Sequence, residues 1–203
     1  MHTPAIHERF AIRELGENWA LWRDAGDWDR FLTVWHKDGW MMATWFQGAP
    51  ADFIRASREG WDKGVSILHF LGGTTIDLQG ERAIAQTKMT ISQRAAVHGL
   101  PCDVVCTGRF YDFLQKTGES WSLVLRQPIY EKDRLDLIDP SATVTLDSER
   151  LAALPEGYRH LGYIQEKAGY VVKRDMPGLK GPEVEALYER GRGWLNGGPA
   201  RPA

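Results

Sequence analysis

The chain of 203 residues has only two cysteines, Cys102 and Cys106. Their spacing, in a segment that reads as a strand, separates the Cα atoms by about 13 Å. A disulfide needs less than about 7 Å, so both are expected as free thiols, which fits a reducing compartment. Long apolar runs are missing as well. None approaches the roughly 18 residues of a membrane-spanning helix, and the opening MHTPAIHERF has no apolar signal-peptide core. A cytoplasmic location is the expectation. The formal charge is only -2, which provides no basic field for nucleic acid or an anionic membrane. Motifs of metal and nucleophile chemistry are absent too: there is no CxxC, HExxH or HxH, no GxSxG elbow and no phosphate loop. His2, His7, His36, His98 and His160 are scattered along the chain. Gly72-Gly73 and Gly191-x-Gly193 read as a strand bend and a helix end.

What is present is a hydrophobic content of 43%, enough for one well-buried domain and an appendage. Nine tryptophans are many for this length, and Trp19, Trp22, Trp28, Trp35 and Trp40 crowd the start. Core filling explains them by default; a wide pocket for a flat ligand is the sharper reading. From Ile6 to Arg23, Phe10, Ile12, Leu15, Trp19 and Trp22 recur at helical steps, predicting an amphipathic helix. Asp27 can cap a second helix from Trp28 to Trp35. A short strand over Gly39 to Trp45 and a third helix from Ala51 to Trp61, with Phe53, Ile54 and Trp61 inward, follow.

The texture then changes to long strands joined by tight turns: Val65 to Leu78, Arg82 to His98, Cys102 to Gln115 and Trp121 to Leu137. Three helices followed by a meander imply an α+β fold, a strongly curved antiparallel sheet packed around the helices as a cone-shaped barrel. Residues 1–140 form this unit. Residues 141–203 extend it, with a short helix near Asp147 to Leu154, a good helix from Pro182 to Leu195, and a tail, GGPARPA, expected to be disordered.

Within the first long strand, Ile67, His69 and Leu71 share one face and Ser66, Leu68 and Phe70 the other. His69 among apolar neighbours is either a satisfied core residue or a base in an apolar pocket.

Three local patterns resemble the nuclear transport factor 2-like superfamily, and within it the SnoaL-like branch that includes scytalone dehydratase and hexachlorocyclohexane dehydrochlorinase. They are Trp22-Arg23-Asp24-Ala25-Gly26-Asp27-Trp28 leading to Asp38-Gly39; Ile67-Leu68-His69-Phe70; and Gly108-Arg109-Phe110-Tyr111-Asp112 followed by Gly118 and Trp121 to Arg126. The resemblance covers about residues 6 to 138 and implies an Asp–His dyad at Asp24 and His69. A carboxylate on one ring nitrogen fixes the tautomer and leaves the other free to take a proton from carbon, which requires no metal or organic cofactor. The same alignment implies that Arg126 faces the pocket to stabilise a developing anion, the alternative being a guanidinium paired with a nearby carboxylate. It also implies that Met89, Ile91, Cys106, Gly108 and Phe110 line the cavity. Trp22 is a further substrate-contacting candidate, and Tyr111 a candidate acid only if a bulge reverses its parity. One departure is Arg23, where scytalone dehydratase has a tyrosine before its aspartate; another is the lack of a clear second pocket histidine. Both argue against scytalone itself as substrate.

The expected function is a cofactor-independent lyase or isomerase using His/Asp base chemistry on a small hydrophobic, aromatic molecule, by dehydration, elimination or retro-aldol aldehyde loss. Two rivals share the fold: a non-catalytic ligand-binding protein, in which Asp24 and His69 would not bond, and a small subunit of a ring-hydroxylating dioxygenase. A homodimer or homotrimer is expected, with Trp121, Leu123 and Leu125 offering an apolar contact face.

Overall fold

The computed structural model describes residues 3–201. Helices α1 (Thr3–Ala25) and α2 (Trp28–Thr33) lead into strands β1 (Trp35–Met42) and β2 (Gln47–Gly48) and helix α3 (Pro50–Asp62). Four long strands follow: β3 (Ser66–Gln79), β4 (Arg82–Val97), β5 (Leu100–Thr117) and β6 (Ser120–Leu137). The remainder holds α4 (Ser148–Ala152), a 3₁₀ turn (Glu156–Tyr158), α5 (Arg159–Lys167) and α6 (Pro182–Leu195). The architecture is α+β, as the order of periodicities implied.

The strands form one sheet in the order β2-β1-β6-β5-β4-β3, antiparallel except where β1 runs parallel to β6. It curves around the helices but leaves β2 and β3 as edges, so it is an unclosed sheet rather than a barrel. Its bends are local. The β3/β4 register shifts between Leu71 and Thr74, at the Gly72-Gly73 pair, and the β5/β6 register shifts between Thr107 and Gly108. A Cβ on Gly108 would lie 2.0 Å from the Ile129 carbonyl oxygen, so only glycine lets β5 and β6 approach there. The β4–β5 turn is tighter than expected, using His98 and Gly99 alone, both at positive φ (50° and 81°). That pairing suits the right-handed twist of a two-residue hairpin.

Helix α1 lies in the concave side with Ile12, Trp19, Ala20 and Arg23 buried. Phe10, assigned by spacing to the inner stripe, is 67% exposed. The true stripe is rotated about the helix, because Trp19 enters the core against Phe31, Phe53 and Phe110. The Asp27 carboxylate accepts the Arg30 backbone N–H and caps α2. In α3, Pro50, Phe53 and Ser57 face inward, whereas Trp61 lies against Trp28 at the surface. β1 begins at Trp35, ahead of its expected start, because Trp35 pairs with Leu123 of β6.

Residues beyond 140 pack on both faces of the sheet. On the concave side α5 buries Leu161, Tyr163, Ile164 and Gln165. Its first turn is held by Asp133, whose carboxylate meets His160 Nδ1 at 2.8 Å and accepts the Leu161 N–H at 2.8 Å. On the convex side α6 sets Val184, Leu187 and Trp194 against Tyr111, Phe113, Leu125 and Ile129. Leu125 is thereby covered, and Trp121 and Leu123 lie in the inner core, so the apolar positions expected to serve a subunit contact are buried by the chain itself. The tail also departs from expectation. Gly198 O accepts from Arg82 at 2.7 Å, Ala200 is buried, and the Arg201 guanidinium lies 4.5 Å from the Trp40 ring centroid. The last two residues of GGPARPA lie outside the described residues. Among the described residues, no helix is long and apolar enough to cross a membrane.

Candidate active site

Asp24 stands in the last turn of α1, where the buried stripe of that helix ends in polar residues, and His69 stands on the inward parity of β3. Both carboxylate oxygens are used: Oδ1 lies 2.8 Å from His69 Nδ1, and Oδ2 accepts the His69 backbone N–H at 2.5 Å. The aspartate therefore fixes the strand and the ring together. With a carboxylate as partner, Nδ1 is the donor, and the lone pair is on Nε2. Nε2 makes no hydrogen bond to any described residue. The ring is flanked by Trp19, edge-on at 5.2 Å, and Phe110 at 6.2 Å. Burial lowers the imidazole pKa below 6.5; the hydrogen bond and charge of Asp24 oppose this, and the charges of Arg23 and Arg126 add to it. The resting ring is thus neutral near pH 7.

Two adjoining chambers open in front of the dyad. The inner one, about 40 Å³, is lined by His69 with Trp19, Phe53, Ile91, Phe110 and Tyr130 among others. It has room for little more than a water or one substituent of a ligand. The outer one, about 290 Å³, reaches Ser57, Val65 and Tyr170. That is nearly twice the ~150 Å³ cavity known to take up benzene. Arg23, Trp45, Ile67, Gln93 and Gln165 line both chambers and mark their junction. Arg23 is 5% exposed, and desolvation lowers its pKa while the neighbouring Asp24 opposes the shift. Its Nη1 reaches Asp24 Oδ1 at 3.4 Å. The Thr44 hydroxyl donates to Gln165 Oε1 at 2.7 Å.

The residues selected from the sequence divide into groups. Asp24, His69, Ile91 and Phe110 come together at the inner chamber. Met89 and Cys106 are buried core residues that line neither chamber. The Cys106 thiol points to the Gly157 carbonyl, and burial pushes its pKa well above 9.0, which keeps it protonated. Trp22 packs against the core and also misses the chambers.

Arg126 is fully buried behind the chamber wall. Its Nε and Nη2 form a bidentate pair with Asp112 at 2.8 and 2.7 Å. The guanidinium lies 4.3 Å from the Trp19 ring centroid and 4.2 Å from that of Phe110. The placement of Arg126 facing the ligand is therefore corrected: its register opposite Asp112 directs it into an ion pair between two aromatic rings. Tyr111 is corrected as well. Its parity holds, so it lies on the convex face beneath α6, where burial pushes its pKa up to about 12. Arg23, Gln93 and Gln165 are among the pocket residues that periodicity missed. Arg23 carried a signal in its departure from the tyrosine pattern; Gln165, distant in sequence, carried none. Among the described residues, no three His, Cys, Asp or Glu converge as a metal site.

A family model for the SnoaL-like domain matches residues 4–127. The chain belongs to the SnoaL-like family. One relative of this SnoaL-like protein is a PEP2-like protein from Fusarium vanettenii, 38% identical over 203 residues, 95% of this chain and 87% of the relative. A solved scytalone dehydratase-like protein from Novosphingobium aromaticivorans superposes with a TM-score of 0.56 at 16% identity, covering 70% of this chain and all of that one. A hexachlorocyclohexane dehydrochlorinase, LinA type 2, superposes at 0.57 with 9% identity, covering 70% of this chain and 95% of that one. At such identities the structures share the fold. The family match ends before α4, so α5 and its Gln165 lie outside it.

Proposed function

We propose that this SnoaL-like protein is a cofactor-independent lyase or isomerase acting on a small hydrophobic, aromatic molecule, with His69 as the general base and Asp24 as its positioning residue. One observation carries the reading: Nδ1 is bonded to Asp24 while the unbonded Nε2 belongs to a ring that lines the chamber. The binding-only reading has His69 spend its ring nitrogens on backbone groups, and among the described residues neither does. In the reaction, Nε2 takes a proton from carbon and the C–H electron pair stays on that carbon. The pair then either expels a leaving group from the adjacent carbon, forming a double bond, or is reprotonated at a conjugated position. In a retro-aldol cleavage the proton would come from a hydroxyl and a C–C bond would break to release the aldehyde. The imidazolium formed is stabilised by Asp24. The names of the two structural neighbours, a dehydratase and a dehydrochlorinase, are both eliminations of this kind and support the class. The purely binding alternative, which required Asp24 and His69 to be unbonded, is not favoured.

The test is His69→Ala with a library of enolisable and β-substituted aromatic compounds. Turnover should fall by roughly 10²–10⁴, the share of a positioned general base, while the variant keeps its fold. A variant that turns over at the wild-type rate ends the proposal.

A further inference from the structure

At the junction of the two chambers stand two side chains with N–H groups to spare. Arg23 is more than nine-tenths buried, yet among the described residues its guanidinium makes a single long bond, 3.4 Å to Asp24. No other hydrogen bond to a described residue is made by its side chain, and Arg23 lines both chambers. Gln165, 4% exposed, has its oxygen occupied by the Thr44 hydroxyl. In that orientation both N–H groups of Nε2 are left without a protein acceptor among the described residues, on a side chain lining both chambers. N–H groups that line a cavity without a protein acceptor are open to a ligand oxygen, and a charged donor makes the stronger bond.

We infer that Arg23 and Gln165 form an oxygen-binding subsite for a ring ketone, and that they hold the oxygen that becomes an enolate when the neighbouring carbon loses its proton to His69. The chemical half of this inference rests on the base reading above; the binding half does not. The sizes fit: the outer chamber takes the ring, the junction takes the oxygen, and only the reacting carbon need reach the small inner chamber. The charges fit too. Before transfer, Arg23 balances Asp24 and His69 is neutral. Afterwards the imidazolium sits on Asp24 and the enolate oxygen on Arg23, so each new charge has a counter-charge already in place. Arg126 is not placed for this part: it lines neither chamber, and its Nε and Nη2 are taken by Asp112. The subsite also gives the extension a role at the chemistry, because α5 supplies Gln165 from beyond the matched family region.

The probe is 1-naphthol, whose ionised form mimics a planar enolate, with naphthalene as the oxygen-free control. Binding is followed by tryptophan fluorescence, and ionisation of the bound naphthol by its absorbance against pH. The wild type should bind 1-naphthol at least about tenfold more tightly than naphthalene and ionise it at lower pH than in water, as expected for charge-assisted hydrogen bonds. Arg23→Met should lose roughly 10- to 100-fold for 1-naphthol and abolish the ionisation shift, with naphthalene affinity unchanged. Gln165→Glu, of the same shape but with a donor turned into an acceptor, should weaken 1-naphthol in the same selective way and decides the matter if Arg23→Met does not fold. Equal affinity of the wild type for both probes, failure to bind either, or undiminished 1-naphthol binding in a folded Arg23→Met or Gln165→Glu would overturn the subsite. The His69→Ala variant should still bind 1-naphthol; full turnover in that variant would end the base reading and leave the subsite, judged by binding, standing.

Discussion

Replacing Asp24 by asparagine changes one oxygen to an NH₂ group and removes the charge, with almost no change of shape. Wild-type Asp24 accepts two N–H groups of one residue, the His69 ring and the His69 backbone, at 2.8 and 2.5 Å. An asparagine can accept only one of them. If the amide oxygen stays on the backbone N–H, its NH₂ faces Nδ1 and forces the proton onto Nε2, the atom that must be free to act as base. If it stays on the ring, a buried backbone N–H loses its partner. Either way a hydrogen bond to a charged acceptor is lost, costing about 1.5–3 kcal/mol. For a chain of this size that lowers Tm by roughly 3–12 °C. The catalytic loss should be larger than stability explains, within the roughly 10²–10⁴ range of a lost general base, because the imidazolium no longer meets a carboxylate in either arrangement and the tautomer is also wrong in the first. The assay pairs thermal unfolding with turnover measured well below the variant's Tm. Turnover within a few-fold of wild type in a folded Asp24→Asn protein would refute the dyad as the origin of activity.

The pH dependence of stability follows from His69. Burial, opposed by Asp24, holds its folded pKa below 6.5, so the unfolded chain takes up a proton before the folded one does. Stability should be constant in this respect above about pH 6.5 and fall as pH drops toward the lowered folded value; an identical urea-midpoint profile in His69→Ala would contradict the assignment. The rate of proton abstraction should show its acidic limb at that lower folded value, in the enzyme's pH–rate profile. Arg126→Met should cost about 3–5 kcal/mol by stranding the buried Asp112 carboxylate, whereas the double change with Asp112→Leu should cost much less; unfolding curves of the two decide. A stable Arg126→Met that loses turnover alone would return Arg126 to the chemistry.

The sequence by itself determined the elements that local periodicity governs. Strands of alternating residues, the Asp27 cap and the two-residue parity of β3 are set by interactions between near neighbours. So is the inward face of His69, which follows once Ile67 and Leu71 are in the core. The pairing of Asp24 with His69 was legible because a helix-end carboxylate and a mid-strand histidine recur in that order in the SnoaL-like pattern. Only the tertiary structure decided what depends on contacts between distant segments. Helix α1 rotated Phe10 outward because Trp19 had a larger aromatic cluster to enter. Arg126 turned from the chamber because its cross-strand partner proved to be a carboxylate. Leu125 was covered by α6, and the tail docked where Arg82 and Trp40 offered partners. Gln165 reached the chamber from a helix nearly one hundred residues beyond His69. No periodicity records such an arrival, since it is fixed by how the chain after residue 140 finds the open mouth of a curved sheet.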